Sequence, residues 1–286
     1  MPATVKRILL LSLALILSFT LIGCAGGGLP QEEIDQIVAN AATAYVEVNT
    51  GKFDYTDLSM TIEWVGGSEP GTVTMVGDGA AVIDIANREM QMTMNMTMDI
   101  PEQGEQEIAT AIYVVGEWLY TMTEYAGEGG QWQKTELTEE LWQQQKSYIE
   151  QQIDFLKTAV EINYLGSEAI NGTDCYALEI TPSMEALGNL MAQQLQSLGI
   201  DFSQLNLADL FKEMSVKEWI AKDTYWVMKA EVAALLEMRP EDLGYTEDDF
   251  EKMTIDTNTG LTFYDYNQPV DITLPPAALD AEEVSY

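Results

Sequence analysis

Histidine is absent from all 286 residues. Its absence removes the commonest general base, the usual zinc ligand and every histidine-dependent triad. Basic residues are scarce too: 13 Lys and Arg stand against 47 Asp and Glu, for a net charge of -34. That balance excludes nucleic acid as a partner and opposes flat adsorption to an anionic membrane. There is no Gly-rich phosphate loop, nucleophile elbow or paired-carboxylate motif. The acidic clusters Glu139-Glu140 and Glu247-Asp248-Asp249 lack Ca²⁺-loop spacing and read as solvated faces. These absences point away from an enzyme and from any cofactor or metal. Disorder is excluded as well, because 47% of the residues are apolar.

Cysteine occurs only at positions 24 and 175. Cys24 closes a distinctive N-terminal segment. Lys6 and Arg7 precede an uncharged apolar run from Ile8 to Ile22, 15 residues long. A bilayer-spanning helix needs roughly 20, so the run has the length of a secretory h-region. It ends in Leu21-Ile22-Gly23-Cys24, which resembles the lipobox of bacterial lipoproteins. The resemblance implies that the Cys24 thiol receives diacylglycerol and that the chain is cut just before it. Two or more acyl chains hold a protein stably on a bilayer, whereas one does so only marginally. Cleavage would remove Lys6 and Arg7 and no acidic residue, leaving 11 basic against 47 acidic residues and a charge of -36. Cys175 would then have no disulfide partner and reads as a small buried apolar residue.

Beyond the Gly-rich tether, Ile34, Ile37, Val38, Ala41, Tyr45 and Val48 recur at helical steps, predicting a helix over Glu32 to Val48. From Asp54 the period changes to two. Strands are expected at Leu58–Trp64, Thr72–Val76, Ala81–Ile85 and Arg88–Ile100, with Gly77-Asp78-Gly79 read as a turn. Ile108–Val115 and Trp118–Thr123 form a hairpin around Gly116-Glu117, and Trp132–Lys134 another strand. Helices are expected from Thr138 to Tyr148 or onward to Val160, and from Ser183 to Leu198. Asn171-Gly172 is a hairpin turn between Tyr164-Leu165 and Cys175–Thr181. Strand-like stretches follow at Glu218–Lys222, Tyr225–Ala233, Gly260–Tyr266 and Val270–Leu274. The acidic insertion from Ala234 to Asp249 reads as a helix or a surface loop.

The most distinctive strand carries Met90, Met92, Met94, Met96 and Met98 on one face, with Gln91, Thr93, Asn95 and Thr97 on the other. Three readings are open: ordinary core, the lining of an adaptable apolar cavity, or a soft-metal site for Cu(I). Copper is disfavoured because neither histidine nor a free cysteine lies nearby in sequence. Trp64, Tyr113, Trp118, Tyr120 and Trp132 also fall on expected strands, as core, as rim, or as platforms for sugar or lipid.

Four stretches carry a family likeness: Tyr113-Val-Val-Gly-Glu-Trp-Leu-Tyr120, Gly166 to Thr181, Glu218-Trp-Ile-Ala-Lys-Asp-Thr-Tyr225 with Lys229-Ala-Glu231, and Phe263-Tyr-Asp-Tyr-Asn-Gln-Pro-Val-Asp-Ile-Thr-Leu-Pro275. Together they resemble LolA/LppX-like lipoproteins, including uncharacterised LolA-like families. The resemblance implies an incomplete antiparallel β-barrel whose helices pack on its concave face, around a cavity for acyl chains. The acidic insertion and the density of methionine depart from that family.

The expected organisation is a signal peptide over 1–23, a lipidated cysteine and tether over 24–31, and a single α+β LolA-like domain over 32–286. The expected function is a membrane-anchored extracytoplasmic lipoprotein holding a lipid or glycolipid ligand. Its candidate cavity is lined by Met60, Ile62, Trp64, the five methionines, Tyr113 and Tyr120. The alternative is a non-enzymatic interaction or structural lipoprotein of the cell envelope that uses the same fold without a ligand; protein partners are unspecified.

Overall fold

The computed structural model describes residues 28–67, 70–125, 128–139, 142, 159–185, 187–188, 207–243 and 250–284. The segment expected to be a lipobox, Leu21 to Cys24, lies outside them, as do most of the two helices expected after Thr138 and Ser183. Helix α1 spans Gln31–Val46. It buries Ile34, Ile37, Val38, Ala41 and Ala42, the positions of one helical face. Glu32 and Glu33 in its first turn complement the positive end of the helix dipole. No helix among the described residues is long and apolar enough to cross a membrane.

Twelve strands form one sheet. They are β1 (Thr50–Val65), β2 (Gly71–Asp84), β3 (Glu89–Ile100), β4 (Gly104–Val115), β5 (Trp118–Tyr125) and β6 (Glu128–Glu136), then β7 (Glu161–Ile170), β8 (Thr173–Thr181), β9 (Phe211–Ala221), β10 (Val227–Met238), β11 (Lys252–Tyr264) and β12 (Glu282–Glu283). A one-turn helix, α2 (Leu207–Leu210), leads into β9. The spatial order is β12-β6-β5-β4-β3-β2-β1-β11-β10-β9-β8-β7. The chain therefore starts at the centre, walks out to β6, resumes at the opposite edge with β7, and walks back until β11 pairs with β1. Every pairing is antiparallel except that of β12 with β6. A twisted open sheet of more than about ten strands curls rather than staying flat. Here one face holds a continuous apolar core that includes the buried side of α1 and residues of β1 to β4 and β7 to β11.

A bulge in β1 sets which residues reach that core. Between Tyr55 and Leu58 the strand carries one residue more than either neighbour, with Asp57 at φ 55°. The extra residue reverses the alternation. Phe53 and Tyr55 therefore point to the same side as Leu58, Met60 and Ile62.

Several expectations need correction. Gly77-Asp78-Gly79 is not a turn, because β2 runs unbroken from Gly71 to Asp84. Ala234 to Met238 belongs to β10, with Ala234, Leu236 and Met238 buried, and Pro240–Leu243 is a short 3-10 helix. Val270–Leu274 is extended but unpaired. It crosses the other face of the sheet, where Ile272 and Leu274 pack with Ala111, Tyr113, Val82, Val115, Tyr120, Met122 and Trp132. The chain then makes a 3-10 turn at Pro276–Asp280 and adds β12 to the β6 edge.

Candidate functional site

The methionine strand is where sequence and structure meet most closely. Met92, Met94, Met96 and Met98 are buried on the core face beside Met60 and Ile62, with Trp64 half-buried against them. Met90 is half-buried at the end of the row. Across the ladder, Met92, Met94, Met96 and Met98 stand opposite Ala81, Gly79, Gly77 and Met75 of β2. Three consecutive partners on that face are thus alanine or glycine.

The packing explains both glycines. A Cβ at Gly77 would lie 2.5 Å from the Asn95 carbonyl oxygen and 2.9 Å from Met96 Cγ. At Gly79 it would lie 2.7 Å from the Thr93 carbonyl oxygen and 3.0 Å from Met94 Cγ. The missing side chains leave a shallow trough in β2, and the thioethers of β3 lean over it. Tyr55 and Leu58, opposite Gly79 and Gly77 on β1, close its far side. The Tyr55 hydroxyl lies 4.0 Å from the Met92 sulfur, and burial pushes that phenol up to about 12. Flexible thioethers beside a backbone trough form a surface that can repack around differing apolar shapes.

Tyr113 and Tyr120 are not part of it. Tyr113 pairs with Gln91 and Tyr120 with Tyr113, so both share the face opposite the methionines. There they lie under the C-terminal strap, with Tyr113 and Trp132 in edge-to-face contact at 5.8 Å. The candidate set of ten therefore divides into eight residues on the core face and two outside it. Cys175 is fully buried in a small cluster with Ala177, Trp219 and Ala221, and its thiol donates to the Thr173 carbonyl at 3.3 Å.

The core face contains one residue that its alternation does not lead one to expect. Met214, Val216 and Ile220 of β9 face the core, and Glu218 shares their phase with 0% exposure. In register, Leu178 of β8 and Ala230 of β10 flank it. Neither carboxyl oxygen has a hydrogen-bond partner. Burial raises the acid well above its ordinary 4.5 and favours its protonated form. Two phenols share its field. Burial, then the nearby Glu218, pushes Tyr45 of α1 up to about 12. Tyr266 is raised further, by burial first and then by Tyr45 and Glu218, and its hydroxyl donates to the Val227 carbonyl at 2.6 Å.

A loop after β11 fixes this arrangement. Asn267 accepts from the Asn49 amide at 2.7 Å and donates to the Glu47 carbonyl at 3.2 Å, and the Thr50 hydroxyl donates to the Gln268 carbonyl at 2.7 Å. These bonds tie the C-terminal end of α1 to the segment carrying Tyr266. A polar island thus sits in the same apolar core as the methionine row. The sequence reading began this strand at Glu218 and so missed it; the signal is that Glu218 is the only acid of β9 in phase with Met214, Val216 and Ile220.

On the opposite face, a groove of about 610 Å³ runs over β2 to β5, lined by Val76, Asp78, Asn95, Thr97, Glu107 and Glu124 among others. Its carboxylates make it unsuited to an acyl chain. Among the described residues no group of three or more metal-ligating side chains comes together.

Comparison with solved structures finds similarity at long distance. LprF from Mycobacterium bovis shares 13% identity at a TM-score of 0.45, over 87% of this chain and 99% of its own. The lipoprotein LppX of Mycobacterium tuberculosis shares 13% at 0.35, over 85% and 100%. MucB shares 9% at 0.29, over 84% and 61%. Superpositions this loose carry no argument about what the chain binds. No curated protein matches it. The model of one family does match, over residues 33–283. The chain therefore belongs to DUF6612, a family of unknown function.

Proposed function

We propose that this protein is an extracytoplasmic lipoprotein, anchored through acyl chains on Cys24, that holds an apolar acyl-chain ligand against the methionine-bearing face of its sheet. One observation carries the ligand reading: Met92, Met94 and Met96 lie opposite Ala81, Gly79 and Gly77. Four of the thioethers share one buried face. A core optimised only for rigidity would pack branched side chains of fixed rotamer, rather than methionine, over those glycines. Thioethers keep three rotatable bonds and conform to a chain of variable length. The anchor reading rests on the run from Ile8 to Ile22 and the lipobox-like Leu21-Ile22-Gly23-Cys24. The acidic groove on the opposite face favours the alternative, an interaction lipoprotein that meets a basic partner there.

The chain from Ala25 onward, which contains α1 and the whole sheet, should be purified and its native mass recorded before and after organic extraction. A mass excess that extraction removes, with acyl lipid in the extract, supports the carrier. A mass that stays bare after incubation with membrane lipid refutes it and leaves the interaction reading. For the anchor, intact mass after expression with the native signal should show residues 1–23 removed and acyl chains added, with Cys24→Ser abolishing both changes. A wild-type product retaining residues 1–23 refutes it.

A further inference from the structure

Among the described residues of the apolar core, Glu218 is a charged-type side chain whose two carboxyl oxygens have no hydrogen-bond partner. We infer that Glu218, beneath Tyr45 of α1, is the polar anchor for a neutral, hydroxyl-bearing acyl lipid of the monoacyl- or diacylglycerol class. This inference rests on the proposed carrier reading and specifies the head group that such a ligand presents.

Glu218 is fully buried, and both its oxygens lack a partner. Leaving such a group unsatisfied in an apolar interior is unfavourable. Its immediate register neighbours Leu178 and Ala230 present only hydrocarbon side chains. One of them, Ala230 on β10, is also small. Tyr266 has already committed its hydroxyl hydrogen to the Val227 carbonyl. Neither carboxyl oxygen is therefore engaged by a neighbouring side chain.

A protonated carboxyl has one O–H to donate and a carbonyl oxygen to accept. Its complement is a group that does both, which an alcohol supplies and an ether or hydrocarbon does not. A phosphate head would bring negative charge into an apolar interior, beside an acid and within a chain of net charge -34. An ammonium head would have to be fully desolvated before pairing. A glycerol hydroxyl carries neither penalty. Its acyl chains can extend along the same continuous core that includes the methionine row.

The test compares three probes on the chain from Ala25: 1,2-dioctanoylglycerol, its 3-O-methyl ether, and dioctanoyl phosphatidic acid. Each is titrated against wild type, Glu218→Gln and Glu218→Leu, with thermal melts confirming that each variant is folded. Wild type is expected to prefer the free alcohol by about 10-fold over the ether, the loss of one buried hydrogen bond, and by more over the phosphate. Glu218→Gln, which still donates and accepts, retains most of that preference. Glu218→Leu binds alcohol and ether alike. A preference that survives in Glu218→Leu, or tighter binding of the phosphate by wild type, overturns the assignment while leaving the carrier standing. If no probe binds any variant, the carrier reading fails and the anchor fails with it.

Discussion

Glu218 makes the stability of this protein depend on pH in a way that one substitution isolates. Its carboxyl titrates near 4.5 when exposed and well above that when folded, because the core desolvates it. Below the unfolded value, both states hold the proton and stability is complete. As pH rises past it, the unfolded chain ionises while the folded acid does not, and stability falls until the folded value is reached. The slope is about 1.4 kcal/mol per pH unit. Stability therefore declines as pH rises from 5 towards the folded value, by no more than that slope. Tyr45 and Tyr266, the titratable groups that share its field, stay protonated throughout that range in both states. Glu218→Gln has nearly the same shape and does not titrate, and the repulsion among surface acids is common to both proteins. Urea denaturation at pH 5, 6 and 7 should therefore show the variant gaining on wild type as pH rises, by at most about 1.4 kcal/mol per pH unit, at constant m-value. A difference that stays flat with pH would refute the burial of an uncompensated acid at this position.

Met94→Ala removes a side chain only 2% exposed and should cost about 2–4 kcal/mol in urea unfolding; a cost below about 1 kcal/mol would show that the trough collapses to fill the gap. Gly77→Val places a Cβ 2.5 Å from the Asn95 carbonyl oxygen, where backbone must shift, so a loss of about 1–3 kcal/mol and a lower melting temperature are expected. The same change at a genuine turn glycine of negative φ would be far milder. Tyr266→Phe deletes the 2.6 Å bond to the Val227 carbonyl. It should cost about 1–2 kcal/mol at any pH from 5 to 7, in contrast to the pH-dependent effect at Glu218.

Local periodicity determined much of this protein. The helical steps from Ile34 to Ala41 specified α1 within two residues of its observed start and end. The two-residue alternation of Met90 to Met98 specified β3 and its buried face, because side-chain direction along a strand is a property of the backbone itself. Asn171-Gly172 specified the β7–β8 hairpin through the positive φ of both residues. Tertiary structure decided the rest. Alternation says which residues share a face within one strand, but only register says which faces of neighbouring strands coincide. For that reason Tyr113, opposite Gln91, falls away from the methionines. Both faces of β4 are apolar because a strap much later in the chain covers the outer one, Ile272 packing on Ala111 and Tyr113. Gly77 and Gly79 look like a turn until β3 is seen lying too close for a Cβ. Glu218, polar by composition, became an unpaired acid only when α1, β8 and β10 closed around it, since burial is a property of the assembled fold and not of any segment.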